Sequence, residues 1–309
     1  MKKLISFVIP VLNEEANIMH LYKKLIRITN SLSKQYNFEF IFNDNCSSDN
    51  TVKILRRIKK EDKRLKINVF SKNVGYQNSI FYGYQKSKGS AVIQIDADMQ
   101  DPPELVIQFI KKWEKNYQVV YGIRKSTKDK LILKVLRKIF YRVLNLLSND
   151  YLPLDAGDFR LIDRRIVNLL ISIDDYSIYI RGYIASFGFK QIGIPYDRLE
   201  RKKGSSKFKA KDLIRLAADG ILNHTVIPLR IASIFGIIVS FLTLLSIIGY
   251  SFFKVFFNLN WPDGFTTITV LVLFSISLNA IFLGIIGEYI GRIFYQVKKF
   301  PRVIIDKTY

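Results

Sequence analysis

Two aspartates and a glutamine near residue 100 have the residue types and the spacing of a cation site. Asp96, Asp98 and Gln100 follow the short apolar run 91–95. Side chains two residues apart in an extended strand point the same way, so their oxygens would face one spot. Such oxygens suit Mg²⁺ or Mn²⁺, and a cation held there would neutralise a departing nucleotide diphosphate. The structural alternative is that aspartates are common in surface loops.

Two further polar segments suit a nucleotide. The segment 44–51, Asp-Asn-Cys-Ser-Ser-Asp-Asn-Thr, follows the apolar run 38–42. Asp44 would accept a hydrogen bond from a nucleobase or a ribose. The alternative is that Asp and Ser cap the helix that follows. In the third segment, Asn-Val-Gly at 73–75, Gly75 would let the backbone approach a ligand closely.

The elements that must position these residues follow from the hydrophobic pattern. Short apolar runs alternate with amphipathic stretches, which favours an α/β fold whose mostly parallel sheet is covered on both faces. In such a sheet the ligand crevice lies beyond the carboxyl ends of the strands, where the polar segments should meet. The predicted strands are 4–11, 38–42, 65–70, 91–95 and 119–122, and the predicted helices are 13–33, 51 to about 60, 76–87, 102–115 and, basic and apolar-striped, 131–147.

Charge and hydropathy predict a membrane protein. Among 309 residues, 48 Lys and Arg against 26 Asp and Glu give a formal charge of +22, which points to phosphate-rich partners. The uncharged runs 231–253 and 265–287 are each long enough to cross a bilayer, unless they form a buried helical hairpin. The basic residues cluster beside these runs rather than among exposed aromatic residues, which favours lipid headgroups over nucleic acid.

The same pattern divides the chain. Residues 1–208 form the α/β domain, 209–228 an amphipathic interfacial helix, and 229–309 a two-span region with a cytoplasmic tail. The alternative for the amphipathic segment is a helix packed on the domain core. Basic flanks and the lack of an export signal predict that the catalytic domain and both termini are cytoplasmic, at the inner membrane. Small residues and Asn279 in the spans permit a homo-oligomer.

Taken in order, the motifs resemble those of inverting family-2 glycosyltransferases with a Rossmann-like GT-A fold. The resemblance is to the polyprenyl-phosphate glycosyltransferases, including bacterial undecaprenyl-phosphate glucosyltransferases and dolichol-phosphate mannose synthases. At 45–46 the chain has Asn-Cys where this family most often has Asp-Gly. The Gln-x-x-Arg-Trp signature of processive synthases does not occur, which favours a single transfer. The matching segments are 8–15, 44–51, 73–75, 96–104, 157–165, 201–208 and 283–292.

The resemblance implies a role for each matched residue. Asp158 would join Asp96 and Asp98 in catalysis, as a base or by orienting the acceptor. Orientation is favoured because a phosphate, with a second pKa of about 6, is largely dianionic at neutral pH. The alternatives are a solvated basic helix for the cations after 124 and a flexible linker for 201–208. The resemblance assigns the metal to Asp96, Asp98 and Gln100, the nucleotide to Pro10, Asn13, Glu15, Asp44, Gly75 and Asp96, the acceptor phosphate to Arg124, Lys134 and Arg137, and closure over the donor to Arg201, Ser206 and Lys207.

The implied function is transfer of one hexose, with inversion, from a nucleotide sugar to a polyisoprenyl phosphate. UDP-glucose and undecaprenyl phosphate are the preferred substrates, with Mg²⁺ or Mn²⁺ as cofactor. The donor preference rests on the two-span C-terminus, which is similar to that of the glucosyl-type members. The alternatives are a GDP-mannose, UDP-galactose, UDP-N-acetylhexosamine or aminoarabinose-type donor, or an inactive membrane scaffold. The complete Asp96, Asp98 and Gln100 set argues against the scaffold.

Overall fold

The computed structural model describes residues 2–125, 156–175, 178–198 and 264–309, with residues 234–236, 238, 239, 241, 242 and 245. The chain divides into two compact units, Met1–Ile214 with Pro301–Tyr309, and Arg215–Phe300. Several predictions lie outside the described residues: the helix at 131–147, the interfacial helix, most of the first uncharged run, and the site residues Lys134, Arg137, Arg201, Ser206 and Lys207.

An eight-stranded sheet forms the centre of the first unit. Its strands are β1 (Lys3–Val11), β2 (Tyr36–Asp44), β3 (Leu65–Phe70), β4 (Ala91–Gln94), β5 (Val119–Arg124), β6 (Ala156–Asp163), β7 (Gln191–Tyr196) and β8 (Ile305–Thr308). The order across the sheet is β7-β5-β6-β4-β1-β2-β3-β8. The described helices are α1 (Ile18–Leu32), α2 (Thr51–Glu61), α3 (Tyr76–Lys86), α4 (Leu105–Glu114), α5 (Arg164–Ser172), α6 (Ile180–Ser186) and α7 (Phe265–Lys298).

Strand β1 is buried on both faces, as the predicted parallel sheet requires. Every residue from 5 to 11 is buried. Ile5 and Phe7 belong to one apolar cluster, and Val8 belongs to a second. Alternate side chains of a strand point to opposite faces, so the two clusters cover the two sides of the sheet. Phe7 also stacks on Phe40 of β2, with ring centroids 5.4 Å apart.

The prediction of a mostly parallel α/β sheet is confirmed for β1 to β4. The pairs β1–β2, β1–β4 and β2–β3 are parallel, so the loops that follow β1, β2, β3 and β4 leave the same edge of the sheet. Two antiparallel strands, β6 and β8, were not predicted. Strand β6 lies between β4 and β5 and runs against both, whereas β5 and β7 pair in parallel.

The second antiparallel strand, β8, belongs to the C-terminal tail. Strand β8 pairs antiparallel with β3, and Tyr309 and Ile67 exchange two backbone hydrogen bonds of 2.9 and 3.0 Å. The guanidinium of Arg56 lies 4.5 Å from the centre of the Tyr309 ring. The sequence-based boundary placed 301–309 in the membrane region, but these contacts make the tail part of the first unit.

Helix α7 begins at Phe265, where the second uncharged run begins. Of the helices that the structure describes, it contains the one segment, Phe274–Lys298, that is long and apolar enough to cross a membrane. Large apolar side chains along it, such as Leu283 and Val297, are exposed. The Asn279 side-chain amide donates to the Ser275 carbonyl within the same helix, at 2.8 Å. The first span stays a prediction.

Candidate active site

The loop after β1 is fastened to the loop after β2. The Asn13 backbone N–H donates to Ser47 Oγ at 2.8 Å, and Asn13 Oδ1 accepts from the Ser48 N–H at 2.7 Å. Glu15 Oε2 accepts from both the backbone and the side-chain amide of Asn50, at 2.9 and 3.0 Å. Asn13 has a φ of 53°, in the left-handed region that asparagine tolerates. Helix α1 therefore starts at Ile18, later than predicted. Asn13 and Glu15, which were predicted to bind the nucleotide, therefore hold the loop after β1 against the loop after β2.

Pro10 and Gly75 occupy positions that suit their backbones. Pro10 is buried in β1, past Val8, where the pairing of β1 with β4 ends. Its missing N–H therefore costs no hydrogen bond on that side. Gly75 precedes α3 with a φ of 84°, which only glycine adopts readily. Its N–H donates to Asn73 Oδ1 at 2.9 Å.

Asp44, at the end of β2, has one carboxylate oxygen in use and one without a partner. Asp44 Oδ2 accepts from the Ser47 backbone N–H at 2.9 Å, so the side chain stabilises the turn before α2. Asp44 Oδ1 is buried and has no hydrogen-bond partner among the described residues. Burial raises the pKa of this carboxyl. A buried oxygen of this kind costs free energy unless a donor reaches it, and a nucleobase N–H is a suitable donor.

Asp96 lies two residues after β4 and shares a hydrogen-bonded network with Tyr76 and Gln94. The Tyr76 hydroxyl donates to Asp96 Oδ1 at 2.6 Å, and Gln94 Nε2 lies 3.1 Å from the same oxygen and 2.9 Å from the hydroxyl. Burial raises the pKa of Asp96 to about 7, and nearby carboxylates, Asp101 first among them, add to the rise. A group in this environment is stabilised by a neighbouring positive charge.

The chain turns immediately after Asp96, so the predicted extended arrangement of the three metal residues is wrong. Strand β4 ends at Gln94, and Met99 has a left-handed φ of 62°. Asp98 Oδ1 accepts from the Gln100 backbone N–H at 3.1 Å, which closes an Asx turn. Gln100 Oε1 accepts from Arg198 Nη2 at 2.6 Å, so this oxygen already has a cationic partner.

The oxygen atoms of Asp96, Asp98 and Gln100 differ in how readily they could bind a divalent cation. Asp96 and Asp98 supply hard oxygen donors, and burial, followed by the charges of nearby carboxylates, raises the pKa of Asp96. Within the described ranges, no group of three or more His, Cys, Asp and Glu side chains could hold a metal ion. A cation held by the two aspartates would therefore take its other ligands from substrate or water. Gln100 would first have to release Arg198.

Arg124 on β5 is held by Asp101 and Tyr196. Its Nη2 lies 3.4 Å from both Asp101 carboxylate oxygens, and its Nε donates to the Tyr196 hydroxyl at 3.2 Å. The Tyr196 hydroxyl in turn donates to Asp101, which is buried. The guanidinium predicted to bind the acceptor phosphate is thus fixed in place by two partners.

Asp158 on β6 is bound by an arginine that the motifs did not indicate. Arg181 of α6 donates to both carboxylate oxygens, through Nε at 2.7 Å and Nη2 at 2.5 Å. Burial alone would raise the pKa of Asp158, but Arg181, Arg160 and Arg124 together lower it below its ordinary value. Asp158 is therefore an ionised, fully engaged carboxylate.

Four residues of the site were not among the predicted site residues: Tyr76, Arg181, Tyr196 and Arg198. Each acts through a partner on another element, and none belongs to a motif with a fixed spacing. Arg181 lies only one residue before Gly182 in a stretch that is otherwise apolar and aromatic, and an isolated charge of this kind is the one hint the sequence contains. The predicted site residues that the structure does describe lie on β1, β2, β5 and β6 and in the loops that follow β1, β3 and β4.

Comparison with known proteins adds one family and three similar proteins. Residues 6–170 match the family described as Glycosyl transferase family 2. The chain is 36% identical over 305 residues to uncharacterized glycosyltransferase YkcC of Bacillus subtilis, covering 98% of this chain and 94% of the relative. It is 33% identical over 310 residues to the SfII prophage-derived bactoprenol glucosyl transferase of Shigella flexneri, covering 99% and 98%. Glucosyl-3-phosphoglycerate synthase from Mycobacterium tuberculosis, solved with UDP, is 17% identical with a TM-score of 0.44 and coverage of 71% and 78%.

Proposed function

The chain belongs to glycosyl transferase family 2, and on that premise we propose that it transfers one hexose from a nucleotide sugar to a polyisoprenyl phosphate at a membrane. The observation that carries this proposal is the meeting of two opposite charge sets within one unit. Carboxylates follow β2 and β4, and arginines on β5, β6 and α6 hold Asp101 and Asp158. Relatives named bactoprenol glucosyl transferases align with nearly the whole chain, which supports a polyprenyl phosphate as acceptor and glucose as the sugar.

The carboxylate set suits the donor. The unpartnered Asp44 Oδ1 would accept a hydrogen bond from the nucleobase, and Gly75 would allow the backbone to approach the nucleotide. Asp96 and Asp98 would hold Mg²⁺ or Mn²⁺, which neutralises charge on the leaving diphosphate. Tyr76 and Gln94 keep the Asp96 carboxylate in one orientation.

The arginine set suits the acceptor. A phosphate oxygen forms a bond to the anomeric carbon, the bond from that carbon to the diphosphate oxygen breaks, and the electron pair leaves with the nucleoside diphosphate. Attack from the face opposite the diphosphate inverts the anomeric configuration. Because the phosphate is largely dianionic at neutral pH, the step needs no general base. Arg124 would align the phosphate, with Asp101 and Tyr196 holding its guanidinium.

The path of the chain supports two membrane crossings. The first unit ends at Ile214 and resumes at Pro301, and the tail after it pairs with β3. The tail and the sheet must therefore lie on one side of a bilayer, so the intervening residues cross it an even number of times. With α7 as one span, the uncharged run 231–253 is the natural second span. The excess of Lys and Arg around the spans supports a cytoplasmic location for the shared side.

A labelled-donor assay tests the proposal. Full-length protein in nanodiscs is given undecaprenyl phosphate, Mg²⁺ or Mn²⁺, and in turn radiolabelled UDP-glucose, UDP-galactose, UDP-N-acetylglucosamine or GDP-mannose. We expect label in the organic phase with UDP-glucose. Label from GDP-mannose alone would overturn the donor choice but keep the reaction. A protein that binds nucleotide yet labels no lipid with any donor would overturn the proposed reaction and favour the inactive scaffold.

A further inference from the structure

Two guanidinium groups contact the carboxylate of Asp158, and a third lies beside the neighbouring residue Gly157. Arg181 binds both oxygens, and Arg160 Nη2 lies 3.6 Å from Oδ1. The third is Arg124: a Cβ placed at Gly157, the residue before Asp158, would lie 3.8 Å from both its Nε and its Nη2, and its charge also acts on Asp158. The three arginines come from β6, α6 and β5, so three separate elements direct positive charge to one place.

The cluster has more cationic donors than its carboxylate can accept. Arg160 is buried, donates to the Gly157 carbonyl at 2.9 Å, and has a buried Nε with no hydrogen-bond partner among the residues described. A buried cation with an unsatisfied N–H is costly unless an anion lies nearby. Counting Asp101, which pairs with Arg124, three arginines face two carboxylates, so one positive charge is in excess. This excess distinguishes the cluster from an ion pair that only joins α6 to β6, and a phosphate would supply the missing negative charge.

Exposure separates the supporting arginine from the accessible ones. The Arg160 side chain is 5% exposed, whereas those of Arg124 and Arg181 are 25% and 31% exposed. Each accessible guanidinium has a buried carboxylate behind it, Asp101 for Arg124 and Asp158 for Arg181. A guanidinium has five N–H groups in a rigid fork and can serve a carboxylate and a phosphate together.

The cluster also lies close to the donor carboxylates. The charges of Asp158 and Arg181 both act on the pKa of Tyr76, whose hydroxyl donates to Asp96. An anion held by Arg124 and Arg181 would therefore be near the carboxylate that faces the donor diphosphate.

We propose that Arg181 is the second cation of the acceptor-phosphate site, paired with Arg124, and that Asp158 orients Arg181. This inference rests on the proposed function. Because both oxygens of Asp158 are bound to Arg181, its contribution to the reaction passes through that guanidinium rather than through proton abstraction. Removing either member of the pair should have the same consequence, which is a weaker hold on the acceptor phosphate.

Steady-state kinetics of full-length variants in nanodiscs, with UDP-glucose and undecaprenyl phosphate, test this assignment. For Arg181→Gln we expect the acceptor KM to rise on the order of tenfold to a hundredfold, as for a lost charge-assisted hydrogen bond. The donor KM and the Kd for UDP should not change. Arg181→Lys should recover part of the loss, and adding Asp158→Asn to Arg181→Gln should cause no further loss. Arg165→Gln is the matched control, since Arg165 is 64% exposed on α5 and pairs with Asp163.

The outcomes separate this inference from the function on which it rests. An unchanged acceptor KM in Arg181→Gln, in a preparation whose wild type transfers sugar, would overturn the role of Arg181 alone. An equal rise in the donor KM would also overturn it, because Arg181 would then serve the donor or the fold. If Arg181→Gln does not fold, Arg181→Lys provides the test, because a lysine ammonium lacks the planar N–H donors of the guanidinium. An acceptor KM for Arg181→Lys equal to that of wild type would then contradict the assignment. Wild type that transfers no sugar to lipid would overturn the proposed function itself.

Discussion

The carboxylate side of the site, which comprises Asp44, Asp96 and Asp98, is held differently from the arginine side, which comprises Arg124, Arg160 and Arg181. Asp44 and Asp98 accept hydrogen bonds from backbone N–H groups two or three residues along the chain. On the arginine side, Arg124 and Arg181 are held by carboxylates on other elements.

The two sides also differ in the sign of the charge that each one lacks. Burial and neighbouring carboxylates raise the pKa of Asp96, so the carboxylate side is short of a cation. On the arginine side, three arginines face two carboxylates, Asp101 and Asp158, and the buried Nε of Arg160 has no hydrogen-bond acceptor among the described residues. A metal-bound diphosphate on one side and a phosphate on the other would supply both. Under the proposed function, the charges of the site would therefore be balanced only when donor and acceptor are bound together, and the predictions below test the two sides separately.

The largest effect is expected on the carboxylate side, from Asp98→Asn. Transfer should fall on the order of 1,000-fold, because the leaving diphosphate loses the cation that neutralises it. Initial rates with labelled donor at several metal concentrations measure the change. Asp306→Asn, on β8, removes a carboxylate charge elsewhere in the unit and should keep wild-type activity. Normal turnover by Asp98→Asn would show that the carboxylate side does not hold the metal.

A smaller loss is expected from Tyr76→Phe, which leaves the carboxylates in place but removes the hydroxyl that orients Asp96. Activity at limiting Mn²⁺ should fall about tenfold, and saturating Mn²⁺ should restore most of it. Titrating activity and UDP binding against Mn²⁺ gives both values. Tyr82→Phe removes a hydroxyl from the same helix, where the ring packs edge-on against Phe70, and is the matched control. An identical Mn²⁺ requirement in both variants would contradict the role of Tyr76.

On the arginine side, Tyr196→Phe should have a milder effect. The variant removes the hydroxyl between Asp101 and Arg124, but the ion pair between these two residues remains. We expect the acceptor KM to rise about threefold to tenfold with the donor KM unchanged. A change in the donor KM alone would mean that Arg124 belongs to the donor half of the site.

The smallest effect on activity is expected at Glu39 on β2. Burial would raise its pKa, but hydrogen bonds from Lys66 Nζ at 2.6 Å, Ser6 Oγ at 2.6 Å and the Lys88 N–H at 2.7 Å lower it overall. A lowered pKa stabilises the fold above the ordinary value of 4.5, and this stability is lost as the pH falls through the lowered value.

Glu39→Gln should therefore reduce the free energy of unfolding by about 1–3 kcal/mol at neutral pH. The difference from wild type should shrink in acid, and kcat should be unchanged. Urea unfolding at pH 7 and at low pH measures both. A penalty that is the same at both pH values would mean that the carboxylate charge of Glu39 contributes nothing to stability.

The first half of the fold was predictable, and the arginine side was not, for one physical reason. Residues 1–115 alternate apolar and amphipathic segments whose structure follows from neighbours a few positions apart, so the predicted strand 65–70 coincides with β3. Strands β6 (AGDFRLID) and β8 (IDKT) are instead interrupted by charged residues, so they lack the continuous apolar run that marks β1 and β4. A prediction from local patterns therefore misses them.

Among the site residues, the same distinction holds. Asp44 and Asp96 follow predictable strands, so their place at the sheet edge could be predicted. The turn at Met99 could not, because a left-handed φ at a methionine has no sequence signal. Arg181 was missed since its role becomes visible only when α6 brings it to Asp158.

The mass of the lipid product tests the central claim most directly. Full-length protein in nanodiscs is incubated with UDP-glucose, Mn²⁺ and undecaprenyl phosphate, and the extracted lipid is analysed by mass spectrometry. The account predicts that the lipid gains the mass of one hexose, and that Asp98→Asn and Arg181→Gln each slow this gain. Unchanged lipid while UDP-glucose is consumed, or a ladder of several added hexoses, would contradict it.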